Sequence, residues 1–124
     1  MRHRNDHRKL NRTSEHRIAM LRNLVSSLFE HGRITTTVPK AKEARRYAEK
    51  CITYGKKAVA ATEPAKKLHY QRLALSALNN RDAVKNLIEK VAPRYATRQG
   101  GYTRVLRAGF RFGDRSPIAL FELV

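Results

Sequence analysis

Ile18, Leu21, Val25, Leu28 and Phe29 recur at three- and four-residue steps, with Asn23, Ser26, Ser27 and Glu30 set on the opposite side. That period predicts a helix over 14–31, capped by Thr13 or Ser14, with Glu15 in its first turn and Gly32 ending it. The run Arg33-Ile34-Thr35-Thr36-Thr37-Val38 is short and β-branched, so it reads as a strand. Pro39 suits the first position of a second helix, where its missing N–H costs nothing. Along that helix Ala41, Ala44, Ala48, Cys51, Ile52 and Gly55 form a stripe of mostly small residues. Lys42, Glu43, Arg45, Arg46, Glu49 and Lys50 fall on the remaining, solvated face.

Thr62-Glu63-Pro64 restarts the chain, and Leu68, Leu75 and Leu78 mark a third helix that stops near Asn79-Asn80. Val84, Leu87, Ile88 and Val91 mark a shorter fourth helix that should end before Pro93. Beyond it, strands at about 102–112 and 118–124 flank a turn at Gly113-Asp114-Arg115-Ser116-Pro117. Strand alternation puts Leu106, Ala108, Phe110 and Phe112 on one face and Val105, Arg107, Gly109 and Arg111 on the other. The first set is expected to face the core, as are Ala119, Phe121 and Leu123 in the last strand; the second set is expected to form an outer arginine ladder. The order predicts an α+β fold in two layers, four helices on a small mixed β-sheet. A basic extended tail over 1–13 precedes a single domain over 14–124.

Charge sharpens the reading. The 124 residues carry 27 Lys+Arg against 10 Asp+Glu, a formal charge of +17, so a polyanionic partner is expected, nucleic acid before an anionic membrane surface. No apolar run approaches the length of a membrane span, and the basic start lacks the apolar segment of a secretory signal. One cysteine, Cys51, cannot form an internal disulfide, which fits a reducing compartment, and its place in the small-residue stripe marks it as a buried, inert thiol. The tail holds five Lys/Arg and two His without an apolar period, the pattern of an arm that orders on a polyanion. Residues 94–115 hold six arginines and no lysine, with Tyr95, Tyr102, Phe110 and Phe112 between them; planar guanidinium groups suit phosphate and base contacts.

Catalytic and metal-binding readings are weak. His3 and His7 sit four apart without a third ligand, His16, His31 and His69 are scattered, and no phosphate-cradling glycine motif is present. Arg107-Ala108-Gly109-Phe110-Arg111-Phe112 echoes an RNA-recognition octamer, but the element order does not fit that fold. A nucleoid-type DNA binder is the main rival; it lacks a recognition helix with base-reading residues at its start. A small RNA-processing enzyme would need a metal or acid/base cluster that the chain does not offer.

Several blocks are more specific: Met1-Arg2-His3-Arg4, Leu10-Asn11-Arg12, His16-Arg17, Arg22-Asn23, Thr36-Thr37-Val38-Pro39-Lys40-Ala41-Lys42-Glu43, Ala92-Pro93-Arg94-Tyr95, Gly100-Gly101-Tyr102-Thr103-Arg104 and Glu122-Leu123-Val124. In these the chain resembles the bacterial large-subunit ribosomal protein L17 family over its length, with a longer stretch around Thr62–Lys67 than the shortest members have. The resemblance implies a non-catalytic protein of the cytoplasmic ribosome, without cofactor, metal, membrane or small-molecule substrate. Its implied partners are large-subunit ribosomal RNA near the polypeptide exit tunnel and neighbouring ribosomal proteins. The candidate RNA-binding residues are Arg2, His3, Arg4, Arg8, Lys9, Asn11, Arg12, His16, Arg17, Arg22, Lys40, Arg94, Arg98, Tyr102, Arg104, Arg107 and Arg111.

Overall fold

A computed structural model describes residues 3–124. Helix α1 (Ser14–His31) starts at Thr13, whose hydroxyl accepts the His16 N–H, and stops at Gly32, whose left-handed backbone (φ 78°) lets its N–H reach Leu28 O. Strand β1 (Arg33–Thr37) leads directly into α2 (Val38–Ala60), with Pro39 in the first turn. Val38, expected to end the strand, opens the helix instead and is buried there. After α3 (Pro64–Leu78), α4 (Arg81–Asn86) begins at Asn80, whose side chain accepts the N–H groups of Asp82 and Ala83.

The fourth helix does not end before Pro93. It widens into a π turn (Leu87–Val91) and closes with one α turn, α5 (Ala92–Arg94). The Ala92 N–H reaches back to Leu87 O, and Pro93, with no N–H, has no ladder bond to lose.

Strands β2 (Thr103–Phe110) and β3 (Pro117–Leu123) complete a three-stranded sheet in the order β1-β3-β2. Both pairings are antiparallel, so the sheet is not mixed as expected. The last strand of the chain lies in its centre. Further bonds secure that strand's end: Leu123 N–H donates to Gly32 O, Val124 N–H to Tyr102 O, and the Tyr95 hydroxyl to Val124 O.

The helices and the inner face of the sheet enclose one cluster, in which Val25, Leu28, Ile52, Leu87 and Phe121 are fully buried. The small-residue stripe of α2 is buried throughout, as its spacing predicts. It permits close helix approach: a Cβ on Gly55 would stand 2.9 Å from Leu87 Cγ and 3.2 Å from Ala92 Cβ. Three positions depart from the α1 and α2 patterns. Ser26 and Glu43, expected on solvated faces, are buried, whereas Ile18 is exposed. Leu68 and Leu75 of α3 are also exposed and line a cleft beside Val84 and Ile88.

The face assignment of β2 is reversed. Residues directly opposite in an antiparallel pair share a face. Leu123, Phe121 and Ala119, all buried, oppose Thr103, Val105 and Arg107. Thr103 and Val105 therefore face the helices, and Leu106 is exposed on the outside. A register shift between Arg107 and Phe110 then pairs Phe110 with Pro117, and the hairpin continues beyond the core. Phe110 and Phe112, expected to anchor the sheet, are 70% and 102% exposed.

Candidate nucleic-acid interface

The tail is built onto α2 by side chains that lie far apart in sequence. Arg46 Nη1 donates to Asp6 Oδ2 at 2.7 Å, and this guanidinium holds the Asp6 carboxyl below its usual pKa. Glu43 accepts at one oxygen from His7 Nδ1 (2.9 Å) and at the other from the Arg8 N–H (3.3 Å). Leu10 and Asn11, both with positive φ, turn the chain back, and the Arg12 N–H closes that turn on Lys9 O. Arg17 Nη1 donates to the carbonyls of Lys9 and Arg12, tying the turn to the first helix.

These contacts leave a cleft of about 420 Å³ lined by Arg4, Asn5, His7, Arg8, Lys9 and Arg17. Four of its six residues are permanent cations, and Asp6 and Glu43 are engaged with α2 and the tail. Such a cleft can accept phosphate oxygens from several donors at once. Glu43, which seats the tail, is a candidate-site residue that the sequence pattern misses. Periodicity shows only a carboxylate next to the buried Ala44 of the stripe, and its partner His7 is 36 residues away.

The other candidates divide. His3, Asn11 and His16 are exposed near the tail, and Lys40 is half-buried in the first turn of α2. Arg12 is half-buried and donates to Leu10 O at 2.7 Å. Arg22 is half-buried too, with Nη1 2.6 Å from the side-chain amide of Asn79 just past α3, so it serves a contact between helices. Arg2 lies outside the described residues.

Tyr102 does not belong to an outward-facing set. It is buried, and Lys56 Nζ donates to its hydroxyl at 2.8 Å, which lowers the phenol pKa. Arg94 is exposed, with its guanidinium 5.5 Å from the centre of the Tyr95 ring, and Arg98, one turn further along the chain, is exposed too, its carbonyl accepting from Lys56. Arg104 is paired across the sheet: Glu122 lies between it and Arg33 on the outer face, accepting from Arg104 Nε and lying 3.8 Å from Arg33 Nε.

The arginine ladder is not formed. Arg107 stands opposite Ala119 on the inner side, exposed because the hairpin there has passed the helices. Arg111 belongs to the turn, where Nε and Nη2 donate to the two oxygens of Asp114 at 3.2 and 2.6 Å. That guanidinium, with the Ser116 N–H and hydroxyl, keeps the Asp114 carboxyl far below the usual carboxylate range. Phe110, Arg111, Phe112, Gly113 and Arg115 line an open cleft of about 580 Å³ at this tip.

Among the described residues there is no cluster of His, Cys, Asp and Glu able to hold a metal ion, and no helix long and apolar enough to cross a membrane. Cys51 is buried, and loss of solvation pushes its thiol pKa up to about 12, the opposite of an activated nucleophile. Residues 20–124 match the family described as ribosomal protein L17, a span that takes in most of α1, every later element and the hairpin. The chain therefore belongs to the ribosomal protein L17 family and is a structural constituent of the large ribosomal subunit, a non-catalytic class of protein.

Proposed function

We propose that the protein holds large-subunit ribosomal RNA between two basic surfaces, the tail over 1–13 and the arginine-bearing hairpin of the α+β domain over 14–124. The observation that carries this reading is the tail cleft, where Arg4, Arg8, Lys9 and Arg17 converge while Asp6 and Glu43 are engaged. His3, Asn11, Arg12, His16 and Lys40 extend the first surface; Arg107 and Arg111 belong to the second, with Arg94 and Arg98 in the arginine-rich stretch that leads into it. Arg104 contributes through the part of its guanidinium that Glu122 leaves free, and Arg22 and Tyr102 act as supports. Family membership supports the cytoplasmic ribosome as the setting, with other large-subunit proteins as neighbours. Within the subunit, the proposed position is the rim of the polypeptide exit tunnel.

Filter binding of the protein to transcribed large-subunit ribosomal RNA across a salt series tests the reading. Replacing Arg4, Arg8 and Arg17 with Ala should weaken binding and flatten the salt dependence, by roughly one unit of slope for each phosphate that is no longer neutralised. Unchanged affinity and slope would remove the tail cleft from the interface.

A further inference from the structure

The hairpin tip has features that neither the core nor a purely electrostatic surface explains. Its turn is tightly braced: Arg111 N–H donates to Ser116 O at 2.9 Å, Arg115 N–H to Arg111 O at 3.0 Å, and Ser116 N–H to Asp114 Oδ1 at 3.1 Å. The bidentate Arg111–Asp114 pair closes the same loop. Gly109 (φ 91°) at the register shift and Gly113 (φ 98°) in the turn supply the backbone conformations this bracing requires. Phe110 at the end of β2 and Phe112 in this braced loop present largely exposed rings.

Rings exposed to this degree contribute little to folding, and a pre-ordered loop loses little conformational freedom when it docks. The chemistry around them selects the occupant. Arg107 and Arg115 are exposed and make no ion pair among the described residues, and Asp114, the sole acid of the tip, is neutralised by Arg111. Flat apolar rings among unneutralised guanidinium groups suit a ligand with π faces and a negatively charged backbone.

We propose that the tip is a stacking head: Phe110 and Phe112 stack on unpaired bases of RNA while Arg107 and Arg115 hold the flanking phosphates. This deepens the RNA-binding reading and rests on it. It assigns the tip to single-stranded or looped RNA, since a paired helix keeps its base faces covered.

The chain contains no tryptophan, so Phe112→Trp introduces one reporter at the tip. Transcribed large-subunit ribosomal RNA should quench its emission, and a fully paired RNA duplex should not. Phe110→Leu with Phe112→Leu keeps apolar bulk but removes the aromatic faces. That double variant should keep the wild-type melting temperature and salt slope while binding the ribosomal RNA about tenfold more weakly for each ring removed. Phe110→Tyr with Phe112→Tyr should bind as the wild type does.

If the wild type binds the RNA but the indole is not quenched, or the leucine variant binds equally well, the stacking head is wrong and the tail-based reading stands. Equal quenching by the duplex overturns the assignment to unpaired bases. An indole that responds only when other large-subunit proteins are added makes the occupant a protein and overturns the proposal. If the wild type shows no salt-dependent RNA binding, both readings fail together.

Discussion

The base and the tip of the C-terminal hairpin are made of the same two strands, yet they do opposite things with their apolar side chains. At the base, Thr103 and Val105 lie against Leu123 and Phe121 beneath the helices, and Phe121 is fully buried. At the tip, every residue from Leu106 to Arg115 is exposed, including two phenylalanines. Hydrophobicity along the strand does not separate the two ends. The extent of the helical layer does, together with a one-sided register shift after Arg107. An apolar ring stabilises a fold only where another layer removes it from water.

The largest expected effect tests the base. Phe121→Ala should cost about 3–5 kcal/mol, because a buried ring leaves a cavity that the surrounding core closes only in part. Urea denaturation measures it; a decrease of less than about 1 kcal/mol would mean that the sheet is not anchored there. Overpacking comes next. Gly55→Ala places a methyl 2.9 Å from Leu87 Cγ in the interface of α2 with the π turn, for an expected destabilisation of about 1–3 kcal/mol. A stabilised Gly55→Ala protein would show that this interface is looser than its distances indicate.

The third prediction concerns pH. Burial raises the Cys51 pKa from 9.0 to about 12, so the unfolded thiol ionises first as pH rises. The contribution is intact well below pH 9 and is lost progressively between 9 and 12, a decrease on the order of 1 kcal/mol by pH 10. Cys51→Ala should remove this part of the alkaline slope and leave the part that comes from Tyr95 and Tyr102. Identical slopes in the two proteins would place Cys51 in contact with water.

The smallest effect is the sharpest contrast with the first. Phe112→Ala should shift stability by less than about 0.5 kcal/mol, the range for surface substitutions. A destabilisation comparable to that of Phe121→Ala would mean that the tip folds back onto the domain and would erase the distinction between the two ends.

Much of the helical part is legible in order and spacing. Thr13, Gly32, Pro39, Pro64 and Asn80 act as local start and stop signals, and the stripe from Ala41 to Gly55 declares its buried face by period alone. The candidate site is legible as chemistry and less so as geometry. The basic tail and the arginines are plain in the chain, but the seating of the tail on Glu43 is not, because its partners are more than 30 residues away. Tyr102 reads as an outward aromatic among arginines; only the fold brings Lys56, 46 residues earlier, to its hydroxyl.

Features that depend on near neighbours are therefore readable along the chain: the caps of α1 and α4, the small-residue stripe, the braced turn at Asp114, and a strongly positive net charge. Contacts between distant segments settle which face of β2 is inside, bury Ser26 and Glu43, carry the fourth helix through Pro93, and leave Phe110 and Phe112 in water. Alternation along a strand defines two faces without naming either. The pairing with β3 and the reach of the helices over the sheet, both set by residues distant in sequence, choose between them.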